Sequence, residues 1–170
     1  SKALDAAVVS GMLEDVIGER VSLTVRGREK QTNFNFELLD IGSNQIQYPV
    51  SGVQIEIDGG YEGHKTITLI EAKIGLNSNI NIRQLLYPYL EYSNKYKSKI
   101  ITTYIMFYEP GGLYYFIPVD IVAGNLLIDY AATRLCKLRN TKESDLSFSA
   151  LKSIKVDFSK TDKNIPFPQA

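Results

Sequence analysis

Two β-strands joined by a turn are predicted by the stretch V-Q-I-E-I-D-G-G-Y-E-G-H-K-T-I-T-L-I-E-A-K, residues Val53–Lys73. Apolar and polar residues alternate from Val53 to Asp58, the period of two expected of a strand with one buried face. Gly59-Gly60 and Gly63 then interrupt the alternation, and a glycine pair between two such runs is typical of a hairpin turn. The second run, Thr66–Lys73, predicts the returning strand.

Three charged residues stand out against this apolar background. The second strand carries on one face Ile67, Leu69, Glu71 and Lys73. Charges that extend a core-facing row are costly unless they are paired, and pairing of the two strands brings Asp58 within reach of both. The spacing alone therefore predicts either a salt-bridge network on a sheet face or a site built from two carboxylates and an ammonium group.

The same residues resemble a known enzyme family. Asp58 followed by Glu71-Ala72-Lys73 at a strand end resembles the PD-(D/E)xK nuclease superfamily, although Ile57 stands where the first proline of that motif would be. The surrounding strings Q-I-E-I-D-G-G-Y-E-G, I-E-A-K-I-G and N-I-N-I-R-Q-L-L-Y-P-Y are similar to the catalytic domain of a type II restriction endonuclease, roughly over residues 34–108. The resemblance implies metal-dependent hydrolysis of phosphodiester bonds in duplex DNA, within restriction–modification.

The resemblance also implies roles for individual residues. Asp58, Glu71 and the Ala72 carbonyl are expected to bind Mg²⁺, with Mn²⁺ able to substitute, since Mg²⁺ prefers carboxylates completed by water and phosphate oxygens. The metal would polarise the phosphate and lower the pKa of a bound water. Lys73 is expected to stabilise the charged transition state and hold the attacking water. Gln84 is expected to contact metal-bound water or backbone phosphate, with an ordinary amide on the helix surface as the alternative.

Further candidates have a plainer alternative interpretation. Glu14, near the end of the first predicted helix, and Glu56, two residues before Asp58, are possible additional metal ligands. Glu56 also fits a structural partner of Lys73, and Glu14 fits a solvated helix carboxylate. Arg83 fits a phosphate contact or an ordinary surface cation. Tyr61 and Glu62 fit hairpin residues.

Composition sets limits on the function. The chain has 170 residues, 44% of them apolar, which is enough for one domain with a sizeable core. One cysteine, Cys136, and one histidine, His64, argue against a zinc cluster and suit a reducing compartment. No apolar run approaches the ~20 residues of a membrane span, and no signal segment is recognised. We therefore expect a cytoplasmic protein without a membrane partner.

Charge distribution gives a mixed indication about DNA. Lys and Arg number 19 against 19 Asp and Glu, whereas DNA-binding domains are usually basic. Basic residues nevertheless cluster near the start of the chain and over residues 134–163, and acids concentrate around the predicted hairpin. The members of these groups are Arg20, Arg26, Arg28 and Lys30; Arg134, Lys137, Arg139, Lys142, Lys152, Lys155, Lys160 and Lys163; and Glu56, Asp58, Glu62 and Glu71.

The remaining patterns predict an α/β fold of the restriction-endonuclease-like kind, a single domain with a mixed central β-sheet flanked by helices. Helices are predicted over residues 3–17 and 80–96, the second capped by Asn79 and disturbed by Pro88. A doubly buried central strand is predicted over 100–108, a strand over 113–119, a short helix over 122–130, an edge strand over 132–138 and a short helix over 144–154.

Domain organisation and partners complete the expectations. Residues 1–165 are predicted to form the catalytic domain and residues 166–170 to begin a linker to a further C-terminal domain. Double-stranded DNA is the expected partner, together with either a second copy in a homodimer or a C-terminal DNA-recognition domain. Two alternatives remain open. One is a structure-specific repair or recombination nuclease, and the other is a non-catalytic DNA-binding or assembly module on the same fold.

Overall fold

The computed structural model describes residues 2–29, 32–122 and 124–138. Three helices and nine strands lie in this part of the chain. In order they are α1 Lys2–Val9, α2 Met12–Ile17, β1 Ser22–Arg28, β2 Thr32–Leu39, β3 Gln45–Val53, β4 Glu56–Glu62, β5 Thr66–Ile74, α3 Ile82–Lys95, β6 Ile100–Glu109, β7 Leu113–Val122, β8 Asn125–Ile128 and β9 Arg134–Lys137.

Seven of the described strands form one mixed sheet. Its order is β1-β4-β5-β6-β7-β8, and β9 also pairs with β7. The β5–β6 pair is parallel and the other pairs are antiparallel. The parallel pair requires a crossover, which α3 supplies. The predicted mixed α/β architecture with a central sheet and flanking helices is confirmed at this level.

Helices cover both faces of the sheet. The core under α1 and α2 includes Leu4, Leu13 and Ile70, whereas the core under α3 includes Ile67 and Leu69. Successive residues of β5 therefore point to opposite layers, as the period of two predicts. The residues that precede Glu71 on its own face belong to the layer between the sheet and α3.

A separate two-stranded ribbon, β2–β3, packs beside α3. Phe34 and Val50 are buried there, and the Phe34 ring meets Tyr87 of α3 edge-on at 5.1 Å between centroids. The sequence did not predict β3, because Pro49 and Gly52 interrupt its pattern. A two-stranded ribbon has free outer edges where a proline without an amide hydrogen costs no ladder hydrogen bond.

The predicted reversal of the chain is right at Gly63 but wrong at Gly59-Gly60. Both glycines lie inside β4, paired with Ile70 and Leu69 of β5, and the chain reverses at residues 63–65 instead. A Cβ on Gly59 would lie 2.7 Å from a Leu4 methyl carbon, and one on Gly60 would lie 2.4 Å from a Val25 methyl carbon. The glycines are thus required by close packing rather than by a turn.

The helices also differ from their predicted bounds. The first is broken into α1 and α2 by Gly11, whose φ of 76° is left-handed. The cap of α3 is Asn81, not Asn79, because the Asn81 side chain accepts a 3.0 Å hydrogen bond from the Arg83 N–H. Pro88 neither ends nor divides α3.

The last described strands partly match expectation. The doubly buried strand β6 and the edge strand β9 are confirmed. The short helix predicted over 122–130 is wrong, since these residues hold a reversal at Gly124 and strand β8. The predicted strand β7 continues past Pro118 to Val122. The helix predicted over 144–154, the linker at 166–170, the domain boundary at 165 and the basic residues beyond 138 lie outside the described residues.

No helix among the described residues has both the length and the apolar character needed to cross a membrane.

Candidate active site

The candidate site lies where strand β4 parts from β5. The β4–β5 ladder runs from Glu62–Ile67 to Gly59–Ile70, whereas β5 remains paired with β6 as far as Ile74. Beyond the last rung, the Asp58 Oδ2 accepts a 2.9 Å hydrogen bond from the Ala72 N–H. Because the N–H and C=O of one strand residue point to the same side, the Ala72 carbonyl also faces this gap.

Glu71 is the buried carboxylate of the site, with 4% of its side chain exposed. Its Oε1 lies 2.7 Å from the Lys73 Nζ, yet it receives no hydrogen bond of good geometry from the described residues. Burial raises the pKa of the Glu71 carboxyl, the nearby charges of Asp58 and Glu56 raise it further, and the Lys73 ammonium opposes them. An additional cation would therefore be stabilised beside Glu71.

Lys73 and Gln84 join the strand end to the following helix. The Lys73 Nζ donates a 3.2 Å hydrogen bond to the Gln84 Oε1. The same oxygen accepts a 3.4 Å hydrogen bond from the Asn81 N–H, as part of the capping box that begins α3. One Gln84 oxygen thus accepts from both the strand end and the helix cap, so Gln84 positions the Lys73 ammonium beside Glu71.

The sequence candidates Asp58, Glu71, Ala72, Lys73 and Gln84 are thus brought together by β4, β5 and the first turn of α3. Among the described residues no group of three or more His, Cys, Asp or Glu side chains is placed to hold a metal ion. The donors that remain are the carboxylates of Asp58 and Glu71 and the Ala72 carbonyl. This set fits Mg²⁺, which binds through one or two carboxylates and completes its shell with water and phosphate oxygens.

Glu14 and Glu56 do not join that donor set. Glu14 lies on α2, on the opposite face of the sheet, and its Oε1 accepts a 3.4 Å hydrogen bond from the Val21 N–H. Glu56 is exposed and lies 4.0 Å from the Arg28 Nε. Its charge still helps to raise the pKa of Glu71, so Glu56 belongs to the rim of the site.

The other residues considered from the sequence have separate positions. Arg83 is exposed one residue before Gln84. Tyr61 is buried within β4, where its hydroxyl accepts a 3.2 Å hydrogen bond from Arg26, and Glu62 forms an ion pair with Lys99 at 3.2 Å. Tyr61 and Glu62 are therefore structural strand residues.

Thr103 is a polar residue of this region that the sequence analysis missed. It is buried on β6, and it lines a small cavity together with Glu71 and Gln84. Its sequence signal is a single hydroxyl in the row Ile101, Thr103, Ile105, Phe107 of an otherwise apolar strand face. Such a residue is usually read as a neutral core position, which is why periodicity alone does not single it out.

Comparison with known proteins gives one match. The family DUF6997, described as a domain of unknown function, matches residues 1–122. The chain belongs to the DUF6997 family. No curated protein and no solved structure matches the chain.

The DUF6997 match covers the whole candidate site. Asp58, Glu71, Lys73 and Gln84 all lie within residues 1–122, as do strands β1 to β7. The α1–α2 layer, the splayed β4–β5 end and the capped α3 therefore lie within the residues that match DUF6997. The described strands β8 and β9 follow it.

Proposed function

We propose that this DUF6997 protein is a metal-dependent endonuclease of the PD-(D/E)xK kind that hydrolyses phosphodiester bonds of duplex DNA. One observation carries the proposal: a buried carboxylate, Glu71, stands beside Asp58 and the Lys73 ammonium at the point where two strands part. Perturbed acids that face a specific charge partner are typical of functional sites. The resemblance to type II restriction endonucleases adds support, because it implies catalytic roles for these residues.

Asp58 and Glu71 would hold a Mg²⁺ ion, with the Ala72 carbonyl as a third ligand. Bound there, the ion supplies positive charge to the phosphate and lowers the pKa of a water. The Asp58 carboxylate is oriented in advance by the Ala72 N–H, which donates to Oδ2, so Oδ1 would be the oxygen that binds the ion.

Lys73 would act on the charge that develops during hydrolysis. Its ammonium is held near Glu71 by the Gln84 amide oxygen, so it is placed before the reaction and has little reorganisation to make. Only 19% of the Lys73 side chain is exposed, and this partial exclusion of water strengthens its interaction with an anionic phosphate. Gln84 would share contact with substrate oxygens from the first turn of α3.

One observation favours the non-catalytic alternative. The 2.7 Å contact between Lys73 and Glu71 also fits an ion pair that only compensates a buried charge on the sheet. Such a pair does not account for the break in the β4–β5 ladder or for the link from Lys73 to the helix cap. The two roles predict different results for Lys73→Ala: a catalytic Lys73 is needed for DNA cleavage, whereas a Lys73 that only compensates charge is needed for stability.

The proposed setting follows from the substrate. Duplex DNA is the proposed partner, and with zero net charge the chain would gain little non-specific affinity from phosphate neutralisation. A homodimer or a C-terminal DNA-recognition domain would supply the remaining contacts. The cytoplasm is the proposed location, where a restriction enzyme meets foreign DNA and where a single buried thiol, Cys136, stays reduced.

The direct test is cleavage of supercoiled plasmid by the full-length protein with Mg²⁺. We expect nicked and linear products that disappear with excess chelator and in the Asp58→Asn variant. Sequencing of the new ends would then separate a sequence-specific restriction enzyme from a structure-specific nuclease. Products that persist in Asp58→Asn, or intact plasmid across divalent metals and substrates, would overturn the proposal.

A further inference from the structure

A small cavity lies between α3 and the sheet, directly behind the candidate site. Its volume is about 10 Å³, and its walls come from β4, β5, β6 and α3. Most of the lining residues are apolar, and the three polar ones are Glu71, Gln84 and Thr103. A space of roughly 10–15 Å³ is the smallest that holds one water, and water enters only where two to four polar partners are present.

Thr103 brings the first of these partners. Its hydroxyl is buried, and the residues that the structure describes offer it no hydrogen-bond partner. The adjacent hydroxyl on the same strand, Thr102 Oγ1, is instead satisfied by Thr68 at 2.9 Å on the opposite face. A buried hydroxyl without a partner is unfavourable, and an ordered water is the common remedy.

Pro88 creates the second partner. A proline in a helix has no amide hydrogen, so the carbonyl four residues earlier, that of Gln84, loses its usual donor. Gln84 and Pro88 both line the cavity and lie one helical turn apart on the face of α3 that packs on the sheet. Water inserted at such a position is a recognised way to satisfy the freed carbonyl.

Glu71 is the third partner. Its Oε1 is buried and receives no well-directed hydrogen bond from the described part of the chain, although the Lys73 ammonium is close by. A water has two donors and accepts from a hydroxyl. It can therefore accept from Thr103 and donate to both the Gln84 carbonyl and the Glu71 carboxylate.

We propose that one buried water occupies this cavity and joins Thr103 Oγ1, the Gln84 carbonyl and the Glu71 carboxylate, which makes Thr103 a positioning residue for Glu71. The water binds the Glu71 carboxylate on the side of the cavity. The opposite side of the carboxylate faces the gap between β4 and β5. Pro88 contributes to this arrangement, because its missing amide hydrogen leaves the Gln84 carbonyl free to accept from the water. The role in metal binding rests on the proposed function, whereas the water itself does not.

The water is tested by a high-resolution crystal structure of the metal-free full-length protein. We expect density for one water within hydrogen-bonding distance of Thr103 Oγ1 and Glu71 in the wild type. The same density should be lost or displaced in Thr103→Val, which has the shape of threonine without the hydroxyl. A dry cavity in the wild type, or a Thr103 hydroxyl bonded to another protein group, would overturn the proposal.

The positioning role is tested by Mn²⁺ titration calorimetry on the same proteins. Loss of a group that orients a metal ligand typically lowers metal affinity 10–100-fold, so we expect a loss of about tenfold in Thr103→Val. Thr103→Ser keeps the hydroxyl and should bind Mn²⁺ close to the wild-type affinity. Thr102→Val, the matched change on the opposite face of β6, should lower the melting temperature without lowering the affinity.

The outcomes separate this inference from the proposed function. Equal Mn²⁺ affinity in folded Thr103→Val and the wild type would reject the positioning role even if plasmid cleavage is confirmed. If the wild type binds no Mn²⁺, both the metal site and the positioning role are rejected. The proposed water is then judged by the crystallographic density only. If Thr103→Val does not fold, Thr103→Ala, which also lacks the hydroxyl, takes its place in both measurements.

Discussion

The Asp58 Oδ2 accepts a 2.9 Å hydrogen bond from the Ala72 N–H, at the place where a backbone carbonyl of β4 would otherwise pair with β5. A side chain thus replaces one rung of the sheet. The replacement keeps Ala72 satisfied while it lets the two strands part, and the opening exposes one edge of β5 beside the buried Glu71. The candidate site therefore forms because the Asp58 side chain takes the place of a main-chain carbonyl in the hydrogen bond to Ala72.

Metal binding should depend on the charge of Asp58 and not on its shape. We expect Asp58→Asn to lose the heat of Mn²⁺ binding, because the amide removes a charged ligand. The asparagine oxygen can still accept from the Ala72 N–H, so the melting temperature should change little. Titration calorimetry measures the first effect and thermal unfolding the second.

Asp129→Asn is the matched control for this change. The Asp129 side chain also accepts a hydrogen bond from a backbone N–H, that of Ala132, at 3.0 Å, but it lies on a loop after β8. Mn²⁺ binding should be unchanged in this variant. Equal heats in Asp58→Asn and the wild type would place the metal elsewhere.

Lys73→Ala should abolish cleavage while the protein stays folded in Mg²⁺. If the ammonium serves the transition state, its loss should lower turnover by at least about a hundredfold. Mg²⁺ can replace the missing positive charge between the two carboxylates, so the melting temperature with Mg²⁺ should remain near that of the wild type. Plasmid cleavage and thermal unfolding should be measured on one preparation.

Lys97→Ala provides the comparison for Lys73→Ala. The Lys97 Nζ also donates to a side-chain amide, that of Asn94, at 3.2 Å, but at an exposed position. Cleavage by this variant should match the wild type. A Lys73→Ala protein that cuts normally, or that is inactive only because it has unfolded, would contradict the catalytic role.

Gly60→Ala should destabilise the fold by overpacking. The added Cβ would lie 2.4 Å from the Val25 Cγ1, in the middle of the β1–β4 pair. Overpacking of this kind typically costs about 1–3 kcal/mol of unfolding free energy. Chemical denaturation measures the loss, and the paired variant Gly60→Ala with Val25→Ala should recover part of it. No recovery in that double variant would show that the strain lies in the backbone.

Glu19 should make stability depend on pH in the acidic range. Its carboxylate accepts from the Thr66 hydroxyl and from three backbone N–H groups of residues 64–66, and these bonds hold the pKa of Glu19 below its ordinary value of 4.5. A depressed pKa means that the stabilisation is present above about pH 4.5 and is lost as the pH falls through the lower folded value.

The measurement is the melting temperature of the wild type and of Glu19→Gln from neutral to acidic pH. We expect a clear difference at pH 7 that shrinks below pH 4.5, because the wild-type carboxylate then becomes protonated. Glu109→Gln, which removes a carboxylate with a single 3.4 Å contact to the Leu76 N–H, should give a smaller difference. A Glu19→Gln difference that stays constant with pH would contradict the argument.

Much of the architecture could be predicted from local patterns in the sequence. The alternation in Thr66–Lys73 correctly separated the two faces of β5, and the apolar run of β6 correctly indicated a doubly buried strand. Short-range geometry explains this success, because side-chain direction in a strand repeats every two residues. The same rule placed Glu71 on the strand face of Ile67 and Leu69, and the structure shows that this face packs under α3.

Local rules were wrong where distant residues decide the conformation. Gly59-Gly60 was predicted to turn, but Leu4 and Val25 occupy the space that side chains at these positions would need. Residues 122–130 were predicted to be helical, but the edge of β7 offered backbone hydrogen bonds that made Asn125–Ile128 a strand. In both places the deciding contact comes from another element.

The sequence by itself determined the composition of the candidate site: an aspartate, a glutamate, an alanine, a lysine and a glutamine at the spacing of a strand pair and the next helix. It did not determine how those groups meet. Only the tertiary structure decided that the Asp58 side chain replaces a rung of the ladder, that the Asn81 cap holds Gln84 against Lys73, and that Thr103 shares a cavity with Glu71. Residue types and strand periodicity are local properties of the chain, whereas these contacts join separate elements, so they exist only after the sheet and α3 have packed together.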